Sequence, residues 1–243
     1  MSHPAARTGM YLPGMRDAAP MNLQSLVAFL GELEANNNKP WFEANNTRYK
    51  TLRSSFTDLV QDVINGLGAV DERVQGVRAE KTIFRIHRDI RFARDKSPYK
   101  TAFSMALSPD GKQVTAPLYY LQIDHRGMWM YAAGLYMPEL AQATRIRTSI
   151  AAHSARVERL LATPALISAF PAGLQAESYK RPPKGFDEAT PLIELVKLKS
   201  FALSNEQPVT PNGTGEELAD VAVRAFAAAY PWVQFLREAL RTA

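Results

Sequence analysis

The sequence has no cysteine among its 243 residues, which excludes disulfide bonds, thiolate nucleophiles and cysteine-ligated zinc or iron–sulfur sites. No apolar run approaches the ~20 residues that a membrane-spanning helix needs. The N-terminus also lacks the contiguous apolar stretch that is typical of a secretory signal. We therefore expect a cytoplasmic protein without a membrane partner, and the lack of cysteine fits a reducing compartment.

Several motifs of known chemistry are missing as well. The sequence contains no G-x-S-x-G, no P-loop and no H-E-x-x-H. Its four histidines are scattered without the spacing of metal ligands, so neither a metal site nor a cofactor is expected. The sequence therefore leaves open whether the protein is an enzyme, and it does not determine the oligomeric state.

The remaining composition is that of a globular domain, with 46% hydrophobic and 22% charged residues. Residues 1–20 hold three prolines and two glycines without helical or strand periodicity, which predicts a flexible N-terminal tail. No internal repeat and no long linker interrupts the rest of the chain. Residues 21–243 are therefore expected to form a single α+β domain.

Apolar residues at helical spacing predict helices on both sides of the centre of the chain. On the N-terminal side, one helix is expected to begin after Asn22 and a longer one to span 48–65. The helices predicted on the C-terminal side span 138–161, 164–170, 192–198, 214–229 and 232–240. Thr214 and Glu217 have the spacing of a capping box, and Pro231 is expected to end the helix that they begin.

The central third of the chain changes to a strand-like alternation of apolar and polar residues. The predicted strands span 83–92, 102–107, 114–124 and 128–133, and an edge strand is expected at 201–203. Short turns between consecutive strands favour antiparallel neighbours. The predicted fold class is therefore α+β, with N-terminal helices, a central antiparallel meander sheet and C-terminal helices packed on it.

Positive charge is concentrated in residues 81–100, KTIFRIHRDIRFARDKSPYK, which we call the basic segment. It holds seven lysines and arginines against two aspartates, a net charge of +5. The whole protein also has a net charge of +5, so the rest of the chain sums to zero. Because a concentrated field of one sign attracts ions of the other sign, the basic segment is the candidate site for an anion.

Three features of the basic segment indicate a binding site. Arg88 interrupts the apolar side of the predicted strand, and Asp95 is its expected partner because a buried guanidinium is costly unless it is paired. Residues 95–100 combine hydrogen-bond donors with a proline, which suits a preshaped loop. Arginine side chains on the strand could hold a carboxylate or phosphate in bidentate fashion. The expected ligand-binding residues are Arg85, Arg88, Arg91, Lys96, Tyr99, Lys100 and, in a later Pro/Gly-rich loop, Lys184; the candidates for proton transfer are His87, Asp89 and Asp95.

These residues support three hypotheses. The favoured one is a pocket for a phosphorylated or carboxylated small molecule, with turnover left open. The second is nucleic-acid binding through the basic segment and the aromatic strands. The third is a non-catalytic structural or partner-binding protein, in which Arg–Asp pairs on an exposed sheet face contribute ~0.2–1 kcal/mol each.

Four stretches of the sequence are similar to a family of uncharacterised bacterial and fungal proteins. They are WFEANNTRY, RIHRDIRFARDKSPYKT, YAAGLYMP and RPPKGFDEATPLIELVKLKSF. The hallmark of that family, a domain of unknown function, is an R-D-x-R-F-x-x-D-K-S-P-Y-K run. The resemblance implies membership of the family without implying an activity or a catalytic residue. Members often have a D-x-D-H-P-like segment where this chain has residues 187–191, so no role of a histidine there carries over.

Overall fold

The computed structural model describes residues 21–210 and 212–241, so the predicted tail, residues 1–20, lies outside the described residues. The N-terminal helices are α1 (Leu23–Ala35), α2 (Lys39–Ala44) and α3 (Asn46–Gly68), followed by 3-10 turns at Glu72–Val74 and Ala79–Lys81. The strands are β1 (Ala102–Leu107), β2 (Leu118–Asp124), β3 (Met128–Leu135) and β4 (Phe201–Pro208). The later helices are α4 (Leu140–Ala152), α5 (Ser154–Leu161), α6 (Pro164–Ala169), α7 (Ile193–Val196) and α8 (Gly215–Arg241). This order confirms the predicted α+β arrangement; the single domain over 21–243 stays a prediction.

Two helices begin at the residues that the sequence predicts. The side-chain oxygen of Asn22 accepts the backbone N–H of Ser25 at 3.0 Å, which caps α1. At the start of α8, the Glu217 N–H donates to the Thr214 hydroxyl at 3.2 Å and the Thr214 N–H donates to the Glu217 carboxylate at 2.9 Å. Both predicted caps are therefore confirmed.

The predicted helix break at Pro231 is wrong, because α8 continues through this residue to Arg241. A proline inside a helix costs about 3 kcal/mol. The residues that follow it more than offset this cost, since Trp232, Phe235 and Leu236 are buried and each such side chain contributes about 1.5–3 kcal/mol. The Trp232 indole N–H also donates to the Phe201 carbonyl at 3.0 Å, which fixes the second half of α8 against β4.

The four strands form an antiparallel sheet in the order β1-β2-β3-β4, which confirms the predicted meander. Strand β4 lies at the predicted edge and is longer than expected, whereas β2 begins later than predicted, at Leu118. Alternate side chains pack on the helices, and those on this covered face include Phe103, Met105, Tyr119, Leu121, Ile123, Tyr131 and Leu203. The opposite face, which we call the open face, carries Ala102, Ser104, Ala106, Leu118, Tyr120, Gln122, Met130, Ala132, Gly134, Ala202 and Ser204.

The predicted strand over 83–92 is wrong, although its pairing with the next stretch of chain is present. Only isolated bridges form, between Ile83 and Met105 and between His87 and Tyr99. The residues after 88 form a loop before the chain returns at 98, and Phe92 in that loop is 95% exposed. The alternation of apolar residues therefore does not predict burial in this stretch. The basic segment forms an interrupted hairpin, and its Ile83 bridges the edge of β1 that does not pair with β2.

Candidate functional site

The charges of the basic segment are only partly matched by carboxylates. Arg88 forms an ion pair with Asp95, as predicted. Asp89 accepts hydrogen bonds from the Arg91 side chain at 2.7 and 2.9 Å. Within residues 21–210 and 212–241, the remaining cations that form no ion pair include Arg85, Arg94, Lys96 and Lys100. Positive charge therefore stays in excess in this part of the structure.

A cavity of about 580 Å³ lies where the basic segment meets the open face of the sheet. Among the predicted ligand-binding residues, Arg88, Tyr99 and Lys100 line it, together with Asp95. The other polar side chains around it are Glu34, Asn37, Ser97, Thr101, Ser104, Tyr120, Gln122 and His125. We call this space the basic cavity, and it brings together three of the seven predicted ligand-binding residues.

Asn37, in the turn between α1 and α2, holds the second half of the interrupted hairpin in place at Tyr99. The Asn37 amide donates to the Tyr99 carbonyl at 2.9 Å and accepts the Tyr99 N–H at 3.0 Å, so its side chain pairs with the backbone as a neighbouring strand would. The Tyr99 ring is buried and stacks on Phe42, with ring centroids 4.0 Å apart and planes 16° apart. These contacts fix the backbone at Tyr99, the residue directly before Lys100.

The two aspartates of the basic segment are suited to pairing and poorly suited to proton transfer. Hydrogen bonds from the Ser97 hydroxyl (2.6 Å) and backbone N–H (2.9 Å), and then the Arg88 guanidinium, hold the pKa of Asp95 far below its ordinary value. Hydrogen bonds from Arg91 likewise lower the pKa of Asp89. Both carboxylates are therefore ionised at neutral pH and weak as bases.

Lys100 is the cation of the cavity that is least compensated. It is half-buried, and desolvation lowers its pKa first, with the charges of Lys112 and Arg85 lowering it further. Its ammonium lies 4.9 Å from the centre of the Phe84 ring, and the Lys112 ammonium lies 5.0 Å from the same ring. An anion next to Lys100 would offset both the burial and the repulsion, so this position favours a negatively charged ligand.

The other predicted residues lie outside the basic cavity. Arg85, Arg91 and Lys96 are exposed, and the Lys96 ammonium donates to the Ile90 carbonyl at 3.0 Å. His87 is also exposed, with its ring 5.2 Å from that of Tyr99. Arg85, Arg91 and Lys96 contribute to the positive field around the site without lining the basic cavity.

Lys184 lies at a different cavity, of about 510 Å³, in the Pro/Gly-rich loop. Arg147, Tyr179, Lys180 and Arg181 also line that cavity. The Arg147 guanidinium is committed to the fold, because it donates to the carbonyls of Val196 at 2.8 Å and Leu198 at 2.9 Å. The structure therefore separates Lys184 from the other predicted site residues.

Several residues of the basic cavity were not predicted from the sequence. Tyr120, Gln122 and His125 line it but are not among the residues that the sequence predicts for this site. Within the described part of the chain the His125 Nδ1 atom is buried without a hydrogen-bond partner. The alternation of β2 could have placed Tyr120 and Gln122 on one face, but their position opposite the basic segment depends on the sheet register.

The described residues offer neither a cluster of metal ligands nor a membrane-spanning helix. In the ranges 21–210 and 212–241, no group of three or more histidine, aspartate or glutamate side chains is arranged to hold a metal ion. Over the same residues, no helix has both the length and the apolar character required to cross a membrane.

Comparison with known proteins assigns the chain to a family. A family model described as "Conserved hypothetical protein (DUF2461)" matches residues 25–235. No curated protein and no solved structure was found to match the chain. The matched range spans most of the chain and includes the basic segment, both sides of the basic cavity and the whole sheet. The protein therefore belongs to the DUF2461 family of conserved hypothetical proteins.

Proposed function

We propose that the protein binds a small molecule bearing a phosphate or carboxylate group in the basic cavity. The observation that supports this most strongly is Lys100, a half-buried ammonium whose pKa is lowered by burial and by Lys112 and Arg85. A polar cavity of about 580 Å³ is also within the range of about 300–1,000 Å³ that small-molecule sites occupy. The ligand anion would supply the negative charge that the basic segment lacks.

Different residues of the cavity would contact different groups of the ligand. Lys100 and Arg88 supply the positive charge, although Arg88 already shares its charge with Asp95. Ser104 and Gln122 add neutral hydrogen-bonding groups from the sheet, and Glu34 adds an acceptor for a hydroxyl or amino group of the ligand. The proposal concerns binding, because the ionised state of Asp95 gives it little capacity to move a proton.

A thermal-shift experiment tests this proposal with a panel of inorganic phosphate, sugar phosphates, nucleotides and small carboxylates. A ligand at 100 times its dissociation constant should stabilise the protein by about 2.7 kcal/mol. For a chain of this size that stabilisation corresponds to a rise in melting temperature of roughly 5–10 °C. A flat response across the whole panel would count against the proposal.

Three variants distinguish specific binding in the basic cavity from general electrostatic attraction to the basic segment. Lys100→Met should abolish the ligand-induced shift, whereas Lys96→Met should keep it, because Lys96 loses the same charge outside the cavity. Glu34→Gln should strengthen binding, since it removes a negative charge from the cavity lining. Equal effects of Lys100→Met and Lys96→Met would show that the binding is nonspecific attraction to the basic segment.

The pH dependence of binding has a defined sign. Because the pKa of Lys100 lies below the ordinary lysine value, anion affinity should fall as pH rises through that lowered pKa. The Lys100→Met variant should lose this alkaline fall. Calorimetric titrations at increasing pH measure the effect, and an affinity that is constant up to the ordinary lysine range would contradict it.

One observation supports nucleic-acid binding as the second candidate function. Phe92 is 95% exposed, and the Arg91 guanidinium lies 5.9 Å from the centre of its ring, in a loop that also carries Arg94 and Lys96. An exposed aromatic ring beside cations can stack on a base. A single-stranded oligonucleotide in the same panel tests this: binding that falls steeply with salt and is lost in Phe92→Ala would support it.

A further inference from the structure

A further cavity, of about 870 Å³, lies on the open face of the sheet beside the basic cavity. We call it the apolar cavity, because its lining includes Leu118, Met130, Ala132 and Val114. Three large apolar side chains at this cavity are exposed: Val114, Tyr136 and Met137. Exposed apolar side chains that gather around a cavity are typical of a binding surface.

Small residues keep the apolar cavity from being filled by the protein itself. Ala106, Ala132, Ala202 and Gly134 stand on neighbouring strands of the open face where larger side chains would occupy the space. Gly134 has a φ of 130°, and a Cβ at this position would overlap the Phe201 carbonyl oxygen. The sheet is therefore built with a depression at this end.

The two cavities adjoin at a pair of aromatic rings. Phe84 and Tyr120 line both cavities, and their ring centroids are 6.4 Å apart. Along β2, Gln122 lies at the basic cavity and Leu118 at the apolar cavity, which separates their levels by roughly 13 Å at about 3.3 Å per residue. The two cavities thus adjoin along the open face, and we call them together the groove, which has a cationic end and an apolar end.

We propose that this groove binds an amphipathic small anion, with its charged group beside Lys100 and Arg88 and its extended apolar part over Leu118, Met130 and Ala132. This inference rests on the proposed function of the basic cavity and specifies the class of ligand. Charge complementarity selects the head group, and the apolar lining selects a hydrocarbon or aryl tail. Volumes of about 580 and 870 Å³ suit a small molecule, since such sites occupy about 300–1,000 Å³.

The test is a calorimetric titration of the full chain with ethyl, butyl, hexyl, octyl and decyl phosphate, each below its micelle-forming concentration. Each methylene buried in the apolar cavity should raise affinity about two- to fourfold, because full burial of a CH₂ contributes about 0.8 kcal/mol. Inorganic phosphate reports the basic cavity alone. The matching alkyl alcohols report the apolar cavity alone and should bind far more weakly than the phosphates.

Substitutions in the apolar cavity should change how affinity depends on alkyl chain length and should leave the binding of inorganic phosphate unchanged. Ala132→Trp fills the cavity and should flatten the series while inorganic phosphate still binds. Ala172→Trp is the control, because Ala172 is exposed and lines neither cavity. If Ala132→Trp fails to fold, Val114→Asp serves instead, since its exposed side chain can be replaced without disturbing the core and a carboxylate there would repel the tail.

The outcomes separate this inference from the proposed function. Binding of inorganic phosphate with no gain along the alkyl series would overturn the inference and leave the proposed function intact. Alkyl phosphate affinities that are unchanged in Lys100→Met would also overturn it, because the head group would then contribute nothing at Lys100. If inorganic phosphate, the alkyl phosphates and the small carboxylates of the thermal-shift panel all fail to bind, both proposals are wrong.

Discussion

Tyr119 and Tyr120 are neighbours in β2, but their rings lie on opposite faces of the sheet. On the covered face, the Tyr119 hydroxyl donates to Asp71 at 2.9 Å, and Asp71 also accepts from Arg237 at 2.6 Å. On the open face, the Tyr120 hydroxyl donates to Gln122 at 2.7 Å and its ring lines both cavities. Burial raises the pKa of both phenols, and the Asp71 carboxylate raises that of Tyr119 further.

The two faces differ in how their charges are balanced. On the covered face one carboxylate meets one guanidinium, with Asp71 fully buried and Arg237 6% exposed. Beside the open face, Lys100 and Lys112 flank the Phe84 ring without an ion pair in the described part of the chain. Matched buried charges stabilise a fold only as a pair, whereas unmatched charges at a cavity are available to a ligand.

The largest loss of stability is expected on the covered face. Asp71→Ala should lower the free energy of unfolding by about 3–5 kcal/mol, because it leaves the buried Arg237 unpaired. The Nε and Nη2 atoms of Arg237 make no hydrogen bond within the described residues, so Asp71 supplies its ion-pair contact there. Urea denaturation measures the loss, and the double variant Asp71→Ala/Arg237→Met should recover part of it. A loss below about 1 kcal/mol would contradict the paired-charge account.

An intermediate effect is expected where the basic segment is attached to the helices. Asn37→Ala removes both hydrogen bonds to the Tyr99 backbone, and we expect a loss of about 1–3 kcal/mol in unfolding free energy. Anion affinity should fall with it, because the backbone next to Lys100 loses its support. Asn36→Ala is the control, since Asn36 is exposed and its side chain donates back to the Glu32 carbonyl at the end of α1. Equal losses from the two variants would remove this role of Asn37.

The smallest effect on stability is expected at the basic cavity. Arg88→Ala should change the free energy of unfolding by only about 0–1 kcal/mol, because Arg88 is 28% exposed and its partner Asp95 is 61% exposed. The same substitution should weaken anion binding, so the affinity should change while the free energy of unfolding hardly does. Global unfolding of Arg88→Ala would instead support the hypothesis that the Arg–Asp pairs serve the fold.

Local patterns determined much of the fold. Strand β1 spans the predicted residues, and the caps at Asn22 and Thr214 hold as expected. Each depends on neighbours within a few residues of sequence, which periodicity and capping chemistry can identify. The predictions at Pro231 and at 83–92 failed because distant contacts set the outcome. Trp232 and Phe235 are buried in the first case, and in the second only an isolated bridge from Ile83 to Met105 pairs the segment with β1.

The sequence by itself determined where the positive charge is concentrated, that Arg88 and Asp95 pair, and that helices flank a meander, because these follow from residue types at short separation. Only the tertiary structure decided which cations share a surface. Sheet register brings Tyr120 and Gln122 to Lys100, while Lys96 and Lys184 lie elsewhere. The pairing of strands and the placement of Asn37 join residues far apart in the chain, and no local pattern encodes the distance between them.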